Sequence, residues 1–84
     1  MKIAQNISWK KLQDKVVAVN LTTGTYYTMN VVASTVWNLL ADGLSPQEIA
    51  LKLSEEYDQS QESILNDVND QIEYWVKENL LETA

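Results

Sequence analysis

The hydrophobic rhythm of the chain changes once. Up to Met29 the apolar residues fall in short, β-branched or alternating runs, and beyond Asn30 they recur every three or four positions. Ser8-Trp9-Lys10-Lys11-Leu12, Val16-Val17-Ala18-Val19-Asn20-Leu21 and Thr25-Tyr26-Tyr27-Thr28-Met29 read as three strands, the second continuous enough to lie in the middle of a sheet. Gln13-Asp14 is a tight connection, and Thr22-Thr23-Gly24 supplies turn residues, with Gly24 free to take a positive φ. The pattern predicts a three-stranded antiparallel meander within residues 7–29.

Three helices follow. Asn30 is suited to cap a helix over about 31–41, in which Val32, Ala33, Val36, Trp37, Leu39 and Leu40 keep helical spacing until Asp42-Gly43 stops it. Ser45-Pro46-Gln47-Glu48 is the sharpest local signal: Ser45 caps, Pro46 fits the first turn and Glu48 completes a capping box. The second helix, about 46–57, is expected to bury Ile49, Ala50, Leu53 and Tyr57. After Asp58-Gln59-Ser60 a third runs over about 61–78, with Asn79 as a left-handed cap and Leu80-Leu81 folding back onto the core. No repeat, low-complexity tract or linker interrupts the 84 residues, so the expectation is one α+β domain spanning 1–84.

Composition narrows what such a domain can do. The chain has no Cys and no His, and its six basic residues are all Lys. The commonest general base, the commonest metal ligands and the guanidinium fork for phosphate are therefore missing, and no catalytic, cofactor or metal site is expected. No apolar run reaches the ~18 residues of a membrane span, and no apolar signal core follows Lys2, so a soluble, cytoplasmic protein without a membrane partner is expected. The net charge of −6 is uneven: residues 1–40 carry four lysines against Asp14, and residues 41–84 carry two lysines against eleven acids. An acidic back half repels a phosphate backbone and suits a cationic or amphipathic polypeptide.

The second and third helices form a helix-turn-helix, and strands beside it make a winged variant. DNA binding does not follow. The polar side of the third helix carries Glu62, Asp67, Asp70, Glu73 and Glu78 against Lys77 alone, which a major groove would repel. At ~100° per residue, Ile64, Leu65, Val68, Ile72, Trp75 and Val76 fall in one apolar arc facing the core, flanked by a row of Asp67, Gln71, Tyr74 and Glu78. Tyr74 is either an aromatic at the core edge with its hydroxyl in water or part of a groove wall. The third strand offers the other wall. It ends the meander, and Thr25–Met29 contains no Lys, Pro or Gly to discourage another strand from pairing with it. Such an edge either receives a strand or is covered by a helix or a second copy, so a monomer or weak dimer is expected.

Thr23-Gly24, Tyr26-Tyr27-Thr28-Met29-Asn30, Val36-Trp37-Asn38-Leu39-Leu40, Asp42-Gly43, Glu48-Ile49, Leu53, Tyr57, Asp67-Val68 and Leu80-Leu81 together resemble the PqqD-like proteins, over about Trp9 to Leu81. These are precursor-peptide recognition domains of ribosomally synthesised, post-translationally modified peptides. Met29 stands where the family usually has Leu, and Asn79 where it usually has Gly; both replacements are physically tolerant. The resemblance implies a winged helix-turn-helix-like fold that holds a leader peptide and does no chemistry. The leader would add as a strand beside the third strand, against the third helix, by β-augmentation. Position by position, the strand wall would be Tyr26, Tyr27, Thr28 and Met29, and the helix wall Asp67, Val68, Gln71 and Tyr74, with Ile64 at the rim.

With no fused catalytic domain in its length, the chain is similar to stand-alone members that present the leader to a separate maturation enzyme. A lasso-peptide leader protease is the favoured enzyme, and a radical-SAM enzyme the other. The competing reading is a winged-helix regulatory or structural module acting through protein contacts.

Overall fold

The computed structural model describes residues 1–83. Its elements are β1 (Lys2–Ile3), β2 (Ile7–Leu12), β3 (Lys15–Asn20), β4 (Tyr26–Thr28), α1 (Val31–Ala41), α2 (Pro46–Tyr57), α3 (Gln61–Lys77) and β5 (Leu81–Glu82). The meander is an antiparallel sheet in the order β2-β3-β4, followed by the three helices. A second sheet, not anticipated from the sequence, pairs β1 with β5, Lys2 opposite Glu82 and Ile3 opposite Leu81. It holds the two ends of the chain together and draws Leu80 and Leu81 into the core.

Local chemistry accounts for the helix boundaries. The Asn30 side chain accepts the Ala33 N–H at 2.8 Å. Ser45 N–H donates to Glu48 Oε1 at 2.9 Å and Glu48 N–H donates to Ser45 Oγ at 3.2 Å. Hydrogen bonding to the carboxylate from the Ser45 backbone, then from its hydroxyl, holds the Glu48 carboxyl below its ordinary pKa. Gly43 ends the α1 turn at φ 96°, and Asn79 closes α3 at φ 65°. In α2 the reading of Tyr57 is corrected. It keeps the helical spacing of the core stripe, yet it is 45% exposed, because α2 ends there and Asp58 turns left-handed beyond the core's margin.

The helices cover one face of the large sheet. Val16, Ala18 and Asn20 point into the core, while Val17 and Val19 point away from it and stay half-buried. Trp37 is fully buried at the centre of α1, edge-on to Trp9 of β2 (centroids 6.0 Å apart) and to Trp75 of α3 (5.1 Å). Those T-shaped contacts tie sheet and helices together.

Two buried polar residues place β4. The Asn20 side chain accepts from Thr22 N–H at 2.9 Å, Thr23 N–H at 3.1 Å and Asn6 Nδ2 at 3.1 Å, and so shapes the loop that leads into β4. At the far end of the strand, Met29 N–H donates to Val16 O at 3.0 Å, but the returning bond is not direct. The Ser34 hydroxyl of α1 stands between the strands, accepting from Val16 N–H at 2.7 Å and donating to Met29 O at 3.3 Å. Ser34→Ala would leave Val16 N–H buried without an acceptor. The expected loss is about 1–3 kcal/mol, read as a lower denaturant midpoint at unchanged slope. An unchanged midpoint would show that water replaces the hydroxyl there.

Candidate functional site

β4 is an edge strand whose hydrogen-bonding directions follow from its register. It pairs with β3 as Val17 with Thr28, Ala18 with Tyr27 and Val19 with Tyr26. On the same diagonal, Met29 N–H donates to Val16 O and Asn20 N–H donates to Thr25 O. Antiparallel ladders alternate bonded and non-bonded pairs, so Tyr27 directs its backbone groups at Ala18. Tyr26 and Thr28 direct theirs outward. Among the described residues no further strand lies on that side of β4.

The outward edge opens onto a hollow of about 340 Å³ between β4 and α3, lined by Tyr26, Tyr27, Thr28, Met29, Asn30, Gln71 and Tyr74, with the buried Ala33 and Trp75 beneath. Side chains alternate about the strand. Tyr27 leans towards α3, where its hydroxyl donates to Glu78 Oε1 at 3.3 Å and bridges the two walls. Desolvation of the phenol, then the nearby Glu78 carboxylate, hold the Tyr27 hydroxyl protonated above its ordinary pKa, keeping it a donor. Tyr74 is 50% exposed and Tyr26 is 72% exposed, leaving two aromatic surfaces for a ligand.

A second hollow, of about 280 Å³, continues from the first through Asn30, Ala33 and Gln71. Ile64, Asp67 and Val68 line it, so every residue assigned from the sequence to a strand or helix wall borders one of the two hollows. Met29, Ile64 and Val68 do so from buried positions, as floor and not as rim. Asp67 is the one carboxylate on either lining.

Sequence reasoning missed a third wall. Val32, Ala33 and Val36 of α1, Leu53 and Tyr57 of α2, and Gln59 complete the second hollow. Val32 and Tyr57 are exposed apolar residues at the ends of their helices, and their spacing did not set them apart from the core stripe. The site is thus a groove with two characters. Its strand half offers main-chain partners and tyrosines; its helical half is apolar, with Asp67 at the side.

Two solved structures share this fold. The structure of TbiB1 in complex with the TbiA(beta) leader peptide matches with a TM-score of 0.94 at 32% identity, covering 100% of this chain and 98% of that one. A lasso peptide synthetase B1 complexed with the leader peptide matches with a TM-score of 0.91 at 21% identity, covering 98% and 96%, and bears on the fold alone. No curated protein matches the chain. The family model described as coenzyme PQQ synthesis protein D (PqqD) matches residues 15–81, from the first residue of β3 into β5. The protein belongs to the PqqD family.

Proposed function

We propose that this protein binds the leader segment of a ribosomally made precursor peptide and presents it to a separate maturation enzyme, itself doing no chemistry. The observation that carries the reading is the outward edge of β4 at Tyr26 and Thr28, lying along the groove against α3. A leader entering there as a fourth strand gains main-chain hydrogen bonds, which set its register, while alternate side chains reach the groove and set its identity. The apolar half between α1, α2 and α3 takes an aliphatic or aromatic anchor, Tyr74 covers a second, and Asp67 suits one Lys or Arg. That TbiB1, at 32% identity, is solved with a leader peptide supports the same reading. The enzyme class we favour is a lasso-peptide leader protease, consistent with the aromatic β4.

Titrating the protein with the leader alone tests this. One strand in a groove is a small interface, so a dissociation constant on the order of 0.01–10 μM is expected. Equal affinity for the core peptide stripped of its leader would overturn the proposal.

A further inference from the structure

The face of the sheet turned away from the helices meets the groove only at its β4 edge, through Tyr26 and Thr28, and its composition is unusual for this chain. Register puts Ser8, Val19 and Tyr26 in one row across it, Lys10, Val17 and Thr28 in the next, and Leu12 beside Lys15 at the end. Leu12, Val17, Val19 and Tyr26 border a shallow hollow of about 200 Å³, and Leu12 is 48% exposed. Lys10 and Lys15 stand on the same face in a protein of net charge −6. Among the described residues the only ion pair is Lys2 with Glu82, so neither lysine is neutralised by this chain.

We infer that this outer sheet face docks the maturation enzyme, through an apolar patch on that enzyme rimmed by acidic side chains. The inference rests on the leader-binding reading and extends it. A leader strand added to β4 would lengthen the same sheet, and its outward side chains would rise beside Tyr26 and Thr28. β2 and β3, six residues each, and β4, three residues, at ~4.8 Å spacing offer about 250 Å² of face, and a leader strand alongside β4 adds about a fifth again. Either value is well below the ~800 Å² per partner of a stable interface. A self-stacked dimer is therefore disfavoured, and it would also gather the lysines of both copies into one contact. A transient enzyme contact that strengthens when the leader is in place suits both the area and the charge.

The test uses the purified protease that removes this leader from its precursor, with cleavage rate followed as the leader-loaded protein is titrated. Lys10→Glu combined with Lys15→Glu should raise the half-saturating concentration on the order of tenfold, with the leader dissociation constant unchanged. Leu12→Asp, which removes apolar surface and adds repulsive charge to an acidic partner, should act in the same direction. Unchanged half-saturation in both variants, with leader binding intact, overturns the docking face alone. Weaker leader binding in both would mean that the face serves the leader itself, which also overturns it. A wild-type dimer, seen by sedimentation, that dissociates on charge reversal would make a second copy the occupant and overturn it again. Failure of the wild-type protein to bind leader at all is a separate result, and it removes the leader-binding reading first.

Discussion

Thr28→Pro is expected to weaken leader binding on the order of 100-fold while leaving the domain folded, and Tyr27→Pro to do the reverse damage. The two positions are adjacent on β4 but point their N–H groups in opposite directions, Thr28 outward and Tyr27 at Ala18. Proline removes a main-chain donor and sets a ring where an incoming strand would lie. On the outward side of an edge strand neither effect touches the native sheet, and an edge is where sheets tolerate proline. Thr28→Pro should therefore weaken leader binding by about 3 kcal/mol, on the order of 100-fold, at near wild-type thermal stability. Tyr27→Pro instead breaks a rung of the sheet. Its expected cost of about 3 kcal/mol corresponds to a fall in Tm of roughly 12–24 °C for a domain of this size. Circular dichroism reads the fold and calorimetric titration the binding. A folded Thr28→Pro protein that binds leader normally would mean that the peptide does not add to β4.

What was legible in the sequence was chiefly what is decided locally. Asn30, Ser45, Pro46 and Glu48 mark helix starts because their side chains satisfy backbone donors within the next few residues. Gly24 and Gly43 mark turns because a positive φ, here 78° and 96°, meets no Cβ clash in glycine. The apolar arc of α3 was legible because Ile64, Val68, Ile72 and Trp75 repeat at the helical period on a helix long enough to define one face. What depends on distant parts of the chain was not. The β1–β5 pair joins two-residue strands from opposite ends, too short to carry a pattern. Ser34 reads as an ordinary helix residue, and only the packing of α1 on the sheet places its hydroxyl between Val16 and Met29. The same holds for the groove. Its strand and α3 walls follow from an unguarded edge and an off-stripe tyrosine. The α1–α2 wall exists only because three helices converge where Val32 and Tyr57 are left uncovered.

Trp37→Ala is expected to cost about 3–5 kcal/mol, the range for deleting a large buried aromatic. For 84 residues the whole stability is on the order of 4–12 kcal/mol, so this one change removes a large share of it. The position matters beyond its volume. Trp37 meets Trp9 of β2 on one side and, on the other, Trp75 of α3, which itself lines the strand half of the groove. Its Nε1 is also the one buried side-chain polar atom, among the described residues, with no hydrogen-bond partner. Trp37→Phe removes that orphan donor and keeps an aromatic edge for both neighbours, so it should cost less than half as much as alanine. Leader peptide then provides a second reading of the same variant. A ligand that binds only the folded state at 100 times its dissociation constant adds about 2.7 kcal/mol, enough to recover much of the loss. Melting curves should therefore show Trp37→Ala well below wild type, Trp37→Phe between them, and the alanine variant rising steeply with leader concentration. If Trp37→Ala melted within a few degrees of wild type, the tryptophan trio would not be what joins sheet to helices. If it melted low but leader failed to raise it, the groove would not survive loss of the ring packed against Trp75.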